Sequence, residues 1–166
     1  MNISFRKATT ADSPLIQKWW QDGLVMAAVG FPEGLQVTIE EINQSLYYYE
    51  EIAGEFLLIV DESKNAIGEF AYKPIEDKVA TFDIKIGERS KQRQGYGEAA
   101  LKAGIKRIST LGQFKKIQIT VNHTNEPALK LYEKVGFKKV GFMKDNWKNQ
   151  VGEWCSTVVM EYVFNV

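Results

Sequence analysis

The sequence has only one cysteine and one histidine in 166 residues. Cys155 has no partner, which excludes an internal disulfide framework and a CxxC metal site, and no metal is expected. No apolar run approaches the roughly 18 residues that a membrane span needs. The opening MNISFRKATTADSP lacks the apolar core and small-residue cleavage pattern of a secretion signal. The expectation is therefore a cytoplasmic protein with no membrane partner. An excess of charge of either sign is missing as well: 21 Lys and Arg face 21 Asp and Glu. No global field draws the chain to nucleic acid, so any charge-based recognition is local.

Low-complexity stretches, internal repeats and linkers are also absent, so residues 1–166 read as a single domain. At this length the chain buries a core without staples. A balance of 45% hydrophobic and 25% charged residues is that of a globular protein.

Residues 3–7 alternate as a first strand does. Thr9 with Asp12 makes a capping-box start for a helix through Leu15, Ile16, Trp19 and Trp20. Gly30, Pro32 and Gly34 break the chain. Thr38 with Glu41 starts a second helix that runs to about Glu51. Three strands follow, at residues 56–60, 67–72 and 80–86, and read as an antiparallel meander. Residues 97–110 carry helical periodicity, residues 116–121 alternate as a strand, and residues 126–135 form a helix that Gly136 stops. Residues 139–143 and 153–164 suit a closing hairpin. The order β-α-α-β-β-β-α-β-α-β-β predicts an α/β (α+β) layer architecture with a mixed, mainly antiparallel central sheet and helices on both faces.

The most informative segment is Gln92-Arg93-Gln94-Gly95-Tyr96-Gly97, between a strand and a helix. The first amides of a helix have no intrahelical acceptor, and the helix dipole favours an anion there. Glycines let the backbone approach a pyrophosphate, and Lys91 and Arg93 add charge. The ligand implied is a phosphate-bearing cofactor. Gly95-x-Gly97-x-x-Ala100 also fits a loose dinucleotide fingerprint. That reading needs the loop after the first strand of a βαβ unit, and an acid ending the next strand. Here a meander precedes the loop, and the next strand ends at Asn122. A tight helix-entry turn with surface cations is the plain structural reading.

About 30 residues downstream lies Asn125-Glu-Pro-Ala128-Leu-Lys-Leu131-Tyr132-Glu-Lys-Val-Gly136-Phe137. With the Gln92-x-x-Gly95-x-Gly97 loop, it resembles the GNAT (N-acetyltransferase) superfamily. The loop matches that family's Q/R-x-x-G-x-G/A motif. The Asn125 helix matches N-x-x-A-x-x-L-Y-x-x-x-G-F without a gap. The long C-terminal tail and the tryptophan-bearing N-terminal helix resemble the ribosomal-protein, polyamine and aminoglycoside acetyltransferase branch.

The resemblance implies acetyl-CoA as co-substrate and an amine of a small molecule or protein N-terminus as acceptor. It implies that the backbone of Ile84, Lys85 and Ile86 pairs with the pantetheine arm. The loop Gln92, Arg93, Gln94, Gly95, Tyr96, Gly97 and Glu98 would hold the pyrophosphate, chiefly through amides. Asn125 and Ala128 would lie along the pantetheine or thiol end, with Tyr132 near the sulfur. A homodimer is a family-level expectation.

Acetylation of an amine needs a neutral nitrogen and a protonated leaving thiolate. Tyr132 is the candidate acid. With an ordinary phenol near 10 and a thiol near 8.5, its proton transfer is only mildly uphill. Glu69 and Asp83, acids inside predicted strands, are candidate bases. Each equally suits a strand face paired with Lys73 or Lys85. His123 reads as a surface histidine and Cys155 as a small buried hydrophobe. Trp19 and Trp20, adjacent on a helix, cannot both face one core, which leaves one for the acceptor cleft. Tyr47, Tyr48 and Tyr49 with Glu50 and Glu51 offer an aromatic, acidic surface for a cation. An enzyme transferring acetyl directly to an amine is the first expectation; a non-catalytic acyl-CoA-binding module on the same fold is the alternative.

Overall fold

The computed structural model describes residues 1–165. Its strands are β1 (Ser4–Lys7), β2 (Glu55–Val60), β3 (Ala66–Glu76), β4 (Val79–Ile86), β5 (Lys116–Asn122), β6 (Lys138–Lys148) and β7 (Trp154–Val163). They form one sheet in the order β1-β2-β3-β4-β5-β7-β6. Every pairing is antiparallel except β4 with β5. The helices are α1 (Ser13–Gln21), α2 (Gly23–Met26), α3 (Ile39–Glu51), α4 (Tyr96–Thr110) and α5 (Glu126–Val135).

The mixed, mainly antiparallel sheet with helices on both faces is the architecture the sequence implies. Successive strand residues point to opposite faces. In β2, Leu57 and Ile59 therefore join the cluster under α4 and α5, while Phe56 and Leu58 join the one under α1 and α3. With both faces covered, β2 reads as an unbroken apolar run rather than an alternating one.

Two features differ from the expectation. Helix α2 and the 3-10 turn Ala27–Val29 after it were not anticipated, because four residues are too few for a periodic pattern. The local signal is Asp22, whose side chain accepts from the Leu24 amide at 2.9 Å as an N-cap. Strand β6 also runs on to Lys148. Its register shifts between Met143 and Trp147, with Asp145 at φ 44°, so the alternation that marks a strand is lost there.

Helix α4 lies unusually close to the sheet at Gly104, where an added Cβ would stand 2.3 Å from the Phe70 ring. Phe70 is fully buried and stacked on Phe82 at 5.1 Å, so it has nowhere to retreat. Alanine is the better helix former by roughly 0.8–1.0 kcal/mol, but overpacking a core costs about 1–3 kcal/mol. Gly104→Ala is therefore expected to lower stability in urea unfolding. A stabilised variant would show that α4 lifts freely from Phe70.

Candidate active site

Strands β4 and β5 pair only at Val79–Lys116 and Ala80–Ile117. On its other edge each strand stays paired along its length, β4 with β3 and β5 with β7. The two halves of the sheet thus diverge beyond Ala80, leaving the β5-facing edge of β4 without a strand partner. A cavity of about 260 Å³ fills the gap. Its walls come from both faces of the sheet: Ala128, Leu131 and Tyr132 of α5 on one side, Val25, Ala28 and Val29 on the other. The gap therefore passes through the sheet. A second cavity of about 210 Å³ shares Asp83, Ala28 and Val29, and adds Trp147 and Thr157.

At one end of this gap stands the glycine loop. The Gln92 side-chain amide donates to the Ile86 carbonyl at 2.9 Å, tying the loop back to β4. Arg93 and Gly95 take left-handed φ values of 58° and 92°. Helix α4 then starts on Gly95 with no side-chain cap. Among the described residues, no oxygen accepts from the amides of Arg93 through Glu98. A Cβ at Gly97 would meet nothing nearer than Ile86 Cγ1 at 4.0 Å, and Gly97 lines the cavity. Its missing side chain thus leaves space on the cavity side rather than relieving a clash within the protein. Free amides, a helix N-terminus and a bare backbone fit a pyrophosphate.

Several loop side chains are committed elsewhere. Tyr96 is buried and its hydroxyl donates to Glu62, so its amide alone faces the loop. Glu98 bridges Lys134 at 2.6 Å and Lys102 at 3.2 Å, joining α4 to α5. Those hydrogen bonds, Lys134 first, hold its carboxyl below the usual range. The Gln94 side chain donates to the Ser90 carbonyl. Lys91 lies 3.4 Å from Asp61 and over the Tyr96 ring, while Arg93 is exposed.

At the other end are the candidate acid–base groups. Asn125 caps α5, its side-chain oxygen accepting from the Ala128 amide at 3.4 Å, and both residues line the cavity. Tyr132 packs edge-on against Phe82 and Phe137, and its hydroxyl has no hydrogen-bond partner among the described residues. Burial, then the charge of Asp83, pushes its phenol up to about 12. Asp83 is exposed, lines both cavities, and has no ion pair or hydrogen bond among the described residues. The backbone run Ile84, Lys85 and Ile86 borders the same gap.

Glu69 is set apart. It is 1% exposed, accepts from the Trp20 indole N–H, lies 3.7 Å from Lys85, and does not line the cavity. Burial outweighs the Lys85 charge and raises its carboxyl. Trp19 and Trp20 both serve the cluster under α1, because adjacent helix positions about 100° apart straddle the strands below. Trp19 covers Gly87 and bonds Glu88, while Trp20 reaches Glu69. Neither lines the cavity. The Lys73 ammonium occupies the faces of Tyr48 and Tyr49. His123 stacks edge-on with Phe142 in a separate groove, and Cys155 lies outside the gap. The α2 residues and Trp147 escaped the sequence reading, since only tertiary packing brings them to Asp83.

Residues 2–138 match the family model of the acetyltransferase (GNAT) domain. The chain belongs to the GNAT family. Comparison with curated proteins finds no match in sequence. Among solved structures, a spermidine N-acetyltransferase from Vibrio cholerae, in complex with CoA and spermine, is similar at TM-score 0.86 and 20% identity, with 97% of this chain and 95% of that one covered. A ribosomal-protein-alanine N-acetyltransferase from Brucella melitensis gives 0.84 and 17%, covering 97% and 99%. A GNAT phosphinothricin acetyltransferase from Sinorhizobium meliloti, in complex with AcCoA, gives 0.83 and 19%, covering 99% and 90%.

Gly97 and Gly95 separate two effects in this GNAT loop. A side chain at Gly95 is strained by its φ, whereas one at Gly97 meets only the open cavity. Gly97→Val should leave the fold intact and weaken acetyl-CoA by about tenfold or more, which is about 1.4 kcal/mol or more. Calorimetric titration checks this, and unchanged affinity in the folded variant would remove the loop from the binding site.

Proposed function

We propose that this protein is an acetyl-CoA-dependent N-acetyltransferase that passes the acetyl group directly from the thioester to a primary amine. The observation that carries it is the gap through the sheet. A helix N-terminus with free amides stands at one end, and a phenol and an unpaired carboxylate share the space at the other.

In this reading the amides of Arg93 through Glu98 hold the pyrophosphate. The open edge of β4 at Ile84 to Ile86 receives the pantetheine amides, whose donors and acceptors replace the missing strand. Asn125 and Ala128 border the thiol end. Asp83 attracts the acceptor as an ammonium. A carboxylate is a far weaker base than an alkyl amine, so the first proton leaves to solvent through the open side of the gap. The neutral nitrogen then attacks the thioester carbonyl carbon, and the C–S bond breaks. Asp83, through water, takes the second proton as C–N bond formation makes the nitrogen acidic.

Tyr132 faces the departing sulfur. With its phenol pushed up to about 12, Tyr132 keeps its proton at neutral pH, and the same burial disfavours a free thiolate. Tyr132 therefore acts first as a hydrogen-bond donor to the developing thiolate, and solvent completes protonation.

Tyr132→Phe is expected to lower kcat by about 10²-fold, the low end of general-acid effects, with little change in acetyl-CoA affinity. A phenol raised to about 12 stays protonated below that pH. The wild-type to variant ratio should therefore stay flat from about pH 6 to 10 and fall only above it. A ratio of one throughout would remove Tyr132 from the chemistry. Cys155→Ala should retain full activity with intersecting initial-rate lines. Parallel lines with a trappable acetyl-cysteine would mean an acyl-enzyme instead.

A further inference from the structure

Resting on the N-acetyltransferase reading, we infer that the acceptor carries a single ammonium on a compact body with no second cation, selected by the chamber around Asp83. The chamber's chemistry is simple. Among the described residues, Asp83 is the only carboxylate lining either cavity of the gap. Ala28, Val29, Val121 and Trp147 supply its apolar wall, and Thr120, Asn122 and Thr157 are neutral polar groups.

Of the other acids, Asp145 on the hairpin is exposed and lines neither cavity, and three more are already taken. Asp22 pairs with Arg89 at 3.1 Å, and Glu88 holds both Lys18 and the Trp19 indole. Glu69 is buried with Trp20 and Lys85. The tyrosines of α3, a second place for a cation, carry Lys73. A polyamine or aminoglycoside would bring further ammonium groups for which neither cavity offers a second carboxylate, so among the described lining residues only one ammonium gains a counter-charge.

The chamber also has a fixed outer wall. Trp147 lies so close to Gly30 that an added Cβ would stand 2.6 Å from the indole. Gln150, at the hairpin turn, clasps the loop after α2 through three hydrogen bonds. Its amide donates to Gly30 at 2.9 Å, its side chain donates to Gly34 at 2.8 Å, and it accepts from the Glu33 amide at 3.0 Å. At about 210 Å³ the chamber lies below the roughly 300–1,000 Å³ usual for drug-sized ligands, so it takes a compact body.

The test is acetyl-CoA thiol release with isobutylamine, a short peptide beginning with alanine, spermidine and an aminoglycoside. One of the two single-ammonium acceptors should exceed spermidine and the aminoglycoside in kcat/KM by about tenfold or more, equivalent to about 1.4 kcal/mol. Which of the two leads tells a free amine from a peptide N-terminus. Trp147→Ala should raise KM for the favoured acceptor and leave acetyl-CoA affinity unchanged. Ala28→Asp, which adds a second carboxylate, should move the preference toward spermidine. A wild-type preference for spermidine or the aminoglycoside would overturn this inference alone. No thiol release with any amine, while acetyl-CoA still binds, would overturn the transferase reading and this inference with it.

Discussion

The structure depends on how little of β4 and β5 is joined. Two residue pairs hold them at Val79–Lys116 and Ala80–Ile117, and nothing zips the strands beyond. A parallel ladder is slightly weaker per residue than an antiparallel one, and each strand already satisfies its other edge with an antiparallel neighbour. The two halves of the sheet therefore follow their own twist. The side chain of Phe82, packed on Tyr132 and Phe137, holds α5 against the diverging strand. Because alternation sends Phe82 to one face and Asp83 to the other, a single gap presents an aromatic wall and a carboxylate at once.

That arrangement leaves polar backbone along the gap without a strand partner, a state proteins tolerate only where water or a ligand supplies the hydrogen bonds. The same holds for the first amides of α4. Two anchors steady the loop they belong to. Lys91 reaches Asp61, and the Tyr96 hydroxyl reaches Glu62, so the β2–β3 turn grips both sides of the glycine segment. Asp61 is 2% exposed, with one oxygen held by the Ser63 and Asn65 amides. These hydrogen bonds keep its carboxyl ionised, opposite the Lys91 ammonium. Charge around the gap is thus locally settled, in keeping with a chain of zero net charge, and Asp83 stands out as the one charged group lining the gap with no partner among the described residues.

Where sequence reading and structure part, the reason is long-range packing. Glu69 and Asp83 look alike as acids in strands, and one residue of alternation does not separate them, since both point toward the α1 side. What differs is the cover: Trp20 and Lys85 close over Glu69, while the divergence of β5 uncovers Asp83. Helix geometry alone places the adjacent Trp19 and Trp20 on different faces and so leaves one of them for the acceptor cleft. The buried Glu69 carboxylate beneath Trp20 provides a partner that no local pattern reveals. The phenol of Tyr132 could be named from its motif, yet its weak acidity comes from burial and from Asp83, which lies far away in the chain.

The sequence by itself determined the order of the strands and longer helices, the two-faced helical cover, the glycine loop at a helix start and the Asn125 to Phe137 helix. These are local matters: residue alternation, capping side chains, and glycines at Gly95 and Gly136 whose positive φ suits a chain without a Cβ. Only the tertiary structure decided where β4 leaves β5, which acid faces the gap, and what walls the chamber beside Asp83. Val29, Trp147 and Gln150 come from distant segments and meet because the β6–β7 hairpin folds back onto the loop after α2. No spacing encodes that meeting; hydrogen bonds and an indole packed on Gly30 do.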